Sequence, residues 1–128
     1  MAKSLGIVVR RPPYGTINAG EALRHAAGGL GFGVATTLIL LEDGVHVAKR
    51  GQDAGRLGFT SLAEPLAQYA RQEGRASDGT VLRGRVVAHE PALVARGLGR
   101  DGLVAGVEVV DDAGLARLLG ECDALLTY

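Results

Sequence analysis

The 128 residues carry 14 basic and 14 acidic side chains for a formal net charge of zero, and 47% of them are apolar. That is enough apolar surface for one packed domain, here 1–128, without disulfides or metals, and it excludes a disordered chain. Zero net charge, 4% aromatic residues and no tryptophan argue against nucleic acid or an anionic membrane as a direct partner.

Residues 5–9 (Leu-Gly-Ile-Val-Val) form a short apolar run stopped at Arg10-Arg11-Pro12-Pro13, the pattern of a buried strand ending in a loop. Between positions 18 and 30, Ala19, Ala22, Leu23, Ala26, Ala27 and Leu30 recur at helical spacing, with Asn18 and Glu21 spaced as a helix-start pair. Residues 34–41 are almost continuously apolar, as in a strand covered on both faces within a parallel sheet. A short segment at 45–49 leads to the glycine-rich loop 51–58, which is expected to be mobile or to be ordered by a partner.

Ser61 and Glu64 have capping-box spacing and open a helix reaching about Glu73, after which 74–79 is turn-like. Residues 83–88 are read as the third strand, ending at His89, and Pro91 sits in the first turn of a helix closing near Gly97. Residues 107–110 form a fourth strand, Asp111-Asp112 cap a helix at 113–119, and 124–127 are a last strand. Five strands separated by helices imply an α/β fold, a doubly wound α/β/α sandwich on a mainly parallel five-stranded sheet.

Ligands of such sheets bind beyond the carboxyl ends of the strands. Three segments are expected there: Tyr14, Gly15 and Thr16 after the first strand, Asp43 and Gly44 after the second, and His89 with Glu90 after the third. The Tyr14-Gly15-Thr16 turn precedes a helix and has backbone N–H groups to offer an anion, although a tight strand-to-helix turn with Thr16 as cap is the preferred reading. Neither G-x-G-x-x-G after the first strand nor G-x-x-x-x-G-K-[ST] occurs, which removes the common nucleotide-phosphate motifs. His25, His46 and His89 show no H-x-x-x-H spacing; a metal site assembled from His46, His89 and Glu90 is the minor alternative to His89 as a plain helix-start residue, and no metal or cofactor is expected. The one cysteine, Cys122, lies between Glu121 and Asp123 at a helix end, where both features raise a thiol pKa and disfavour a nucleophile. A lone cysteine forms no internal disulfide, no apolar run approaches 18 residues, and the first six residues contain no long apolar stretch. A cytoplasmic protein that neither spans a membrane nor is secreted is the expectation.

In order, Tyr14-Gly15-Thr16, Asp43-Gly44-Val45, Gly51-Gln52, the third strand with Ala95-Arg96-Gly97-Leu98, and Cys122-Asp123 before a final strand resemble the DsrE/DsrF/TusC superfamily of small sulfur-relay proteins. The match runs over nearly the whole chain and is nearest the TusC/DsrF branch. The resemblance implies a trimer or hexamer, and in active members a persulfide-carrying cysteine at the start of the helix after the third strand. Counting back eight residues from Gly97 puts His89 at that position, and imidazole carries no persulfide.

Two functions follow from this point. One is a non-catalytic relay subunit, in sulfur oxidation or tRNA thiolation, that assembles with itself or with cysteine-bearing homologues. The other is a small-molecule or anion binder, or an enzyme using His89 as acid or base. The apolar stretch 62–69 is taken as a surface for oligomer contacts.

Overall fold

A computed structural model describes residues 3–128. Its centre is a parallel sheet made from β1 (Ser4–Val9), β2 (Ala35–Leu40), β5 (Val86–His89), β6 (Val107–Val110) and β7 (Ala124–Thr127). Between β2 and β5 lies an antiparallel hairpin of β3 (Glu73–Arg75) and β4 (Val81–Arg83). Four α-helices cover the sheet: α1 (Asn18–Gly31), α2 (Ala63–Arg71), α3 (Glu90–Ala95) and α4 (Asp112–Glu121). The α/β class and the five-stranded parallel sheet are as the sequence implied.

The strand order is β6-β5-β2-β1-β7. From β1 to β6 the chain steps along the sheet in one direction, so right-handed crossovers put α1, α2 and α3 on the same face. The connection through α4 returns across the sheet to β7 beside β1, which puts α4 on the other face. Packing follows this division. Ile7, Leu38 and Val86 are fully buried with Ala22, Ala26 and Leu30 of α1, whereas Val8, Ile39 and Val87 pack against Leu118 of α4. The alternation along each strand is the two-residue period of pleated backbone.

Alanines at 19, 22 and 26 let α1 lie close to the sheet, and the spacing of its buried residues is the helical one. Asn18 does not cap that helix. The cap position falls on Ile17 with no side-chain bond, and Glu21 instead pairs with Arg24 at 2.5 Å. Ser61 likewise leaves its expected role: α2 begins at Ala63, and the Ser61 hydroxyl accepts from the Ala54 N–H at 2.8 Å. Asp111 does cap α4, its carboxylate accepting from the Gly114 N–H at 2.8 Å.

The helix expected to reach Glu73 ends at Arg71, and the turn-like stretch after it is the hairpin β3–β4. Asp78 accepts from the Thr80 N–H in its tip, where Gly79 has a φ of 89°. The run 83–88 is split because Gly84 is wedged on α2; a Cβ there would lie 1.8 Å from the Tyr69 carbonyl oxygen. Leu62, Leu66 and Tyr69 face this core and are buried, so the large apolar side chains of the stretch 62–69 pack inward instead of forming an exposed apolar face. Tyr69 is 1% exposed, with its hydroxyl 2.8 Å from Thr36 Oγ1 and donating to the Thr36 carbonyl at 3.0 Å.

Candidate functional site

The chain path reverses between β5 and β6: β5 feeds α3 on one face and β6 feeds α4 on the other. Such a reversal opens a crevice at the carboxyl ends of the two strands. His89 ends β5 and occupies the cap position of α3, with Pro91 in the first turn. Asp112 opens α4 just after β6. Across the crevice His89 Nε2 lies 2.7 Å from Asp112 Oδ1. A carboxylate only accepts, so Nε2 donates, and this contact selects the ring's hydrogen-bonding arrangement. The imidazole is 19% exposed and the carboxylate 84% exposed. Among the described residues Nδ1 has no partner, and no buried side-chain nitrogen lacks one, so Nδ1 reaches the surface.

Beside this pair is a cavity of about 350 Å³ lined by Leu41, Glu42, His89, Pro91, Ala92, Ala95, Arg96 and Leu115. The α3 residues in that wall follow helical spacing, with His89 and Arg96 two turns apart on one side. Arg96 donates through Nε to Asp43 at 2.9 Å and through one terminal nitrogen to the Ala92 carbonyl at 3.1 Å. Asp43 thus holds Arg96 in place. Glu42, on the rim, has φ 52°, the one non-glycine residue with left-handed backbone among those described, and Arg10 grips its carboxylate at 3.1 and 3.3 Å. Outliers of this kind mark places where surrounding contacts overrule local preference.

Of the other expected site residues, Glu90 follows His89 directly and Asp43 reaches its cavity through Arg96, whereas Tyr14 lies apart. Tyr14 lines a second cavity of about 400 Å³ with Pro13, His46, Lys49, Gln52 and Leu57. Its hydroxyl donates to Gln52 Oε1 and accepts from the Leu62 N–H at 3.1 Å. Gln52 in turn donates to the carbonyls of Val47 at 2.9 Å and Lys49 at 2.7 Å, so the loop 51–58 is anchored within the chain itself. Gly15 has φ 92° and open space around its Cα, and Thr16 is exposed. Gly44 is needed for close approach: a Cβ there would lie 2.0 Å from the Val9 carbonyl oxygen. Glu90 pairs with Arg100 at 2.7 Å. Three strand ends therefore share one edge of the sheet, with Tyr14 and His89 lining different cavities.

Residues 3–77 match the DsrE/DsrF-like family. The chain is 31% identical to the intracellular sulfur oxidation protein DsrF of Allochromatium vinosum, over 93% of this chain and 91% of that protein. The chain belongs to the DsrE/DsrF-like family. An uncharacterised protein of Methanopyrus kandleri is 30% identical over 95% of this chain and 91% of its own length. The crystal structure of the ychN protein from E. coli superposes with a TM-score of 0.78 at 25% identity, each chain covered in full.

Within this DsrE/DsrF-like chain the one cysteine is placed unfavourably for transfer. Cys122 follows α4 and precedes β7, so it sits at the amino end of the sheet, away from the crevice. Its thiol donates to the Leu118 carbonyl at 3.4 Å, and a Cβ on Gly6 would come within 2.8 Å of its sulfur. Burial pushes the Cys122 thiol pKa up, and the charges of Glu121 and Asp123 add to this against a smaller opposing effect of Arg85. Among the described residues no three metal-ligating side chains gather, and no helix is long and apolar enough to cross a membrane.

Sequence reasoning placed Asp112 only at a helix start and Arg96 only in a family motif. Recognising them as partners in one crevice requires the strand order, because it is the reversal beside β5 that brings α4 to His89.

Proposed function

We propose that this chain is a cytoplasmic sulfur-relay subunit that takes part in persulfide transfer without carrying sulfur itself. One observation supports this above the others: an imidazole, His89, stands at the cap of α3, where the family resemblance puts the transferring thiol. The only cysteine is at the other end of the sheet with a raised pKa. A relative named as an intracellular sulfur oxidation protein gives the process its class. Sulfur oxidation and tRNA thiolation are the two pathways this reading admits.

Such a subunit needs a cysteine-bearing companion, and we assign assembly as a trimer or hexamer, with copies of itself or with homologues. Ile17, Phe32, Leu57 and Val94 are each more than 70% exposed and are available to contacts with another subunit. The test is to incubate the purified chain with a persulfide donor and weigh it. The parent should gain no stable sulfur, and His89→Cys should gain one atom per chain. Stoichiometric sulfur on Cys122 that passes to an acceptor protein would overturn the proposal. Native mass spectrometry should show trimers or their multiples at micromolar concentration, and monomer alone would remove the assembly.

The pairing of His89 with Asp112 beside a cavity favours a second reading, in which the crevice takes a small molecule and His89 acts as acid or base. A gene neighbourhood holding cysteine-bearing homologues supports the relay, and an isolated gene supports this alternative.

A further inference from the structure

The crevice holds a base and a cation, yet no hydroxyl, thiol or amine side chain lines it. Its lining offers no serine, threonine, cysteine or lysine, only Leu41, Pro91, Ala92, Ala95 and Leu115 around Glu42, His89 and Arg96. His89 has its Nε2 hydrogen bond satisfied by Asp112, which leaves Nδ1 to accept a proton at the surface. Arg96 has Nε and one terminal nitrogen bonded, and its second terminal nitrogen is uncommitted. A base and a guanidinium that keeps one terminal nitrogen uncommitted, flanking an apolar floor, suit a neutral group that enters protonated and becomes an anion inside.

We infer that the crevice activates in trans a cysteine thiol delivered by a partner, with His89 as the base. The inference rests on the relay reading above and adds the role of this chain within it. In the step, the partner's S–H bond breaks and its proton goes to His89 Nδ1. The imidazolium formed is stabilised by the Asp112 carboxylate, and the thiolate faces Arg96. The thiolate attacks the terminal sulfur of a persulfide on a donor protein. A new S–S bond forms, the old one breaks, and the released donor thiolate recovers the proton. One thiol and one persulfide enter and leave, so no oxidant or reductant is consumed. A low-dielectric wall strengthens the charge interactions that favour the thiolate. Asp112 is a positioning residue, acting only through the imidazole.

The chain is tested with a small benzylic thiol, phenylmethanethiol, whose apolar ring suits the cavity floor. Its alkylation by iodoacetamide at pH 7 is followed with and without the protein. General bases contribute about 10²–10⁴-fold, and a probe lacking the partner's docking contacts should show at least about tenfold, saturating in protein. His89→Asn, which keeps a donor towards Asp112, should abolish the acceleration. Asp112→Asn should weaken the acceleration, and Asp112→Glu, which returns a carboxylate to His89, should restore it. Cys122→Ser should leave the rate unchanged. No acceleration by the parent, or acceleration lost in Cys122→Ser, overturns the inference. Persulfide loading of the parent chain separates the two ideas: stoichiometric sulfur on it that passes to an acceptor protein defeats the relay reading, whereas no loading with no acceleration defeats only the assignment of His89.

Discussion

Replacing Gly44 with alanine tests whether this glycine serves the geometry of the chain rather than a ligand. The added Cβ would lie 2.0 Å from the Val9 carbonyl oxygen and 2.7 Å from its carbon, where ordinary contact begins at 3.4 Å. Relief therefore needs a shift of about 1.4 Å, the difference between 3.4 and 2.0 Å. Neither side gives way easily. The Val9 carbonyl already accepts the Leu41 N–H at 2.9 Å, and the Gly44 N–H donates to Leu41 at 2.8 Å. Val45, Val47 and Ala48, which would move with it, are at most 1% exposed. Overpacking a core costs about 1–3 kcal/mol, and a methyl group meeting backbone belongs at about 3 kcal/mol. In a chain of this length that lowers the melting temperature by about 10–15 °C. Urea unfolding followed by circular dichroism measures the change, with Gly28→Ala as control. Gly28 lies on the exposed side of α1, and a methyl group added there would have no atom within 4 Å. Alanine at that position should stabilise by about 0.5–1 kcal/mol through helix propensity and the unfolded state. A Gly44→Ala midpoint equivalent to less than about 0.5 kcal/mol of loss would refute the steric argument, since that is the range of an uncrowded surface change.

Tyr69→Phe removes a hydroxyl bonded within the core and should cost about 1 kcal/mol by chemical unfolding. Burial holds the Tyr69 pKa above its usual 10.0; its contribution is full below pH 10 and is lost as pH rises towards the folded value, because the unfolded chain ionises first. The phenylalanine variant should therefore lose less stability than the parent between pH 10 and 11, and equal slopes would count against this. Asp111→Ala removes the α4 cap and should cost about 1 kcal/mol, read as a lower urea midpoint, with Asp111→Ser recovering most of it. Cys122, with its raised pKa, should react with iodoacetamide at pH 7.5 more slowly than a free cysteine, and unfolding in urea should remove the difference; equal rates in the native chain would contradict the burial argument.

Much of the framework was readable from one-dimensional pattern. The apolar run behind β2 signals a strand covered on both sides, and the periodic alanines of α1 signal a helix with one buried face. Local hydrogen bonding was harder. Asp111 caps its helix as its residue type suggests, but Asn18 and Ser61 do not, because Glu21 finds Arg24 and Ser61 finds the loop at Ala54. These competing partners are set by geometry that spacing alone does not contain. The hairpin β3–β4 was missed for a related reason. Its short strands carry little apolar alternation, and Gly84 breaks the run because α2 presses on its backbone.

The candidate site divides in the same way. Sequence alone determined that a histidine ends the third core strand ahead of a proline-started helix, and that the only thiol has acidic neighbours; both follow from residue type and order. Tertiary structure decided that Asp112 meets that histidine, that Arg96 shares its cavity, and that Tyr14 belongs to another cavity anchored by Gln52. Those pairings link residues far apart in the chain, and they depend on strand order and on which face each crossover takes. Neither quantity is written in local periodicity, because the same strands and helices are compatible with several orders until their packed faces select one.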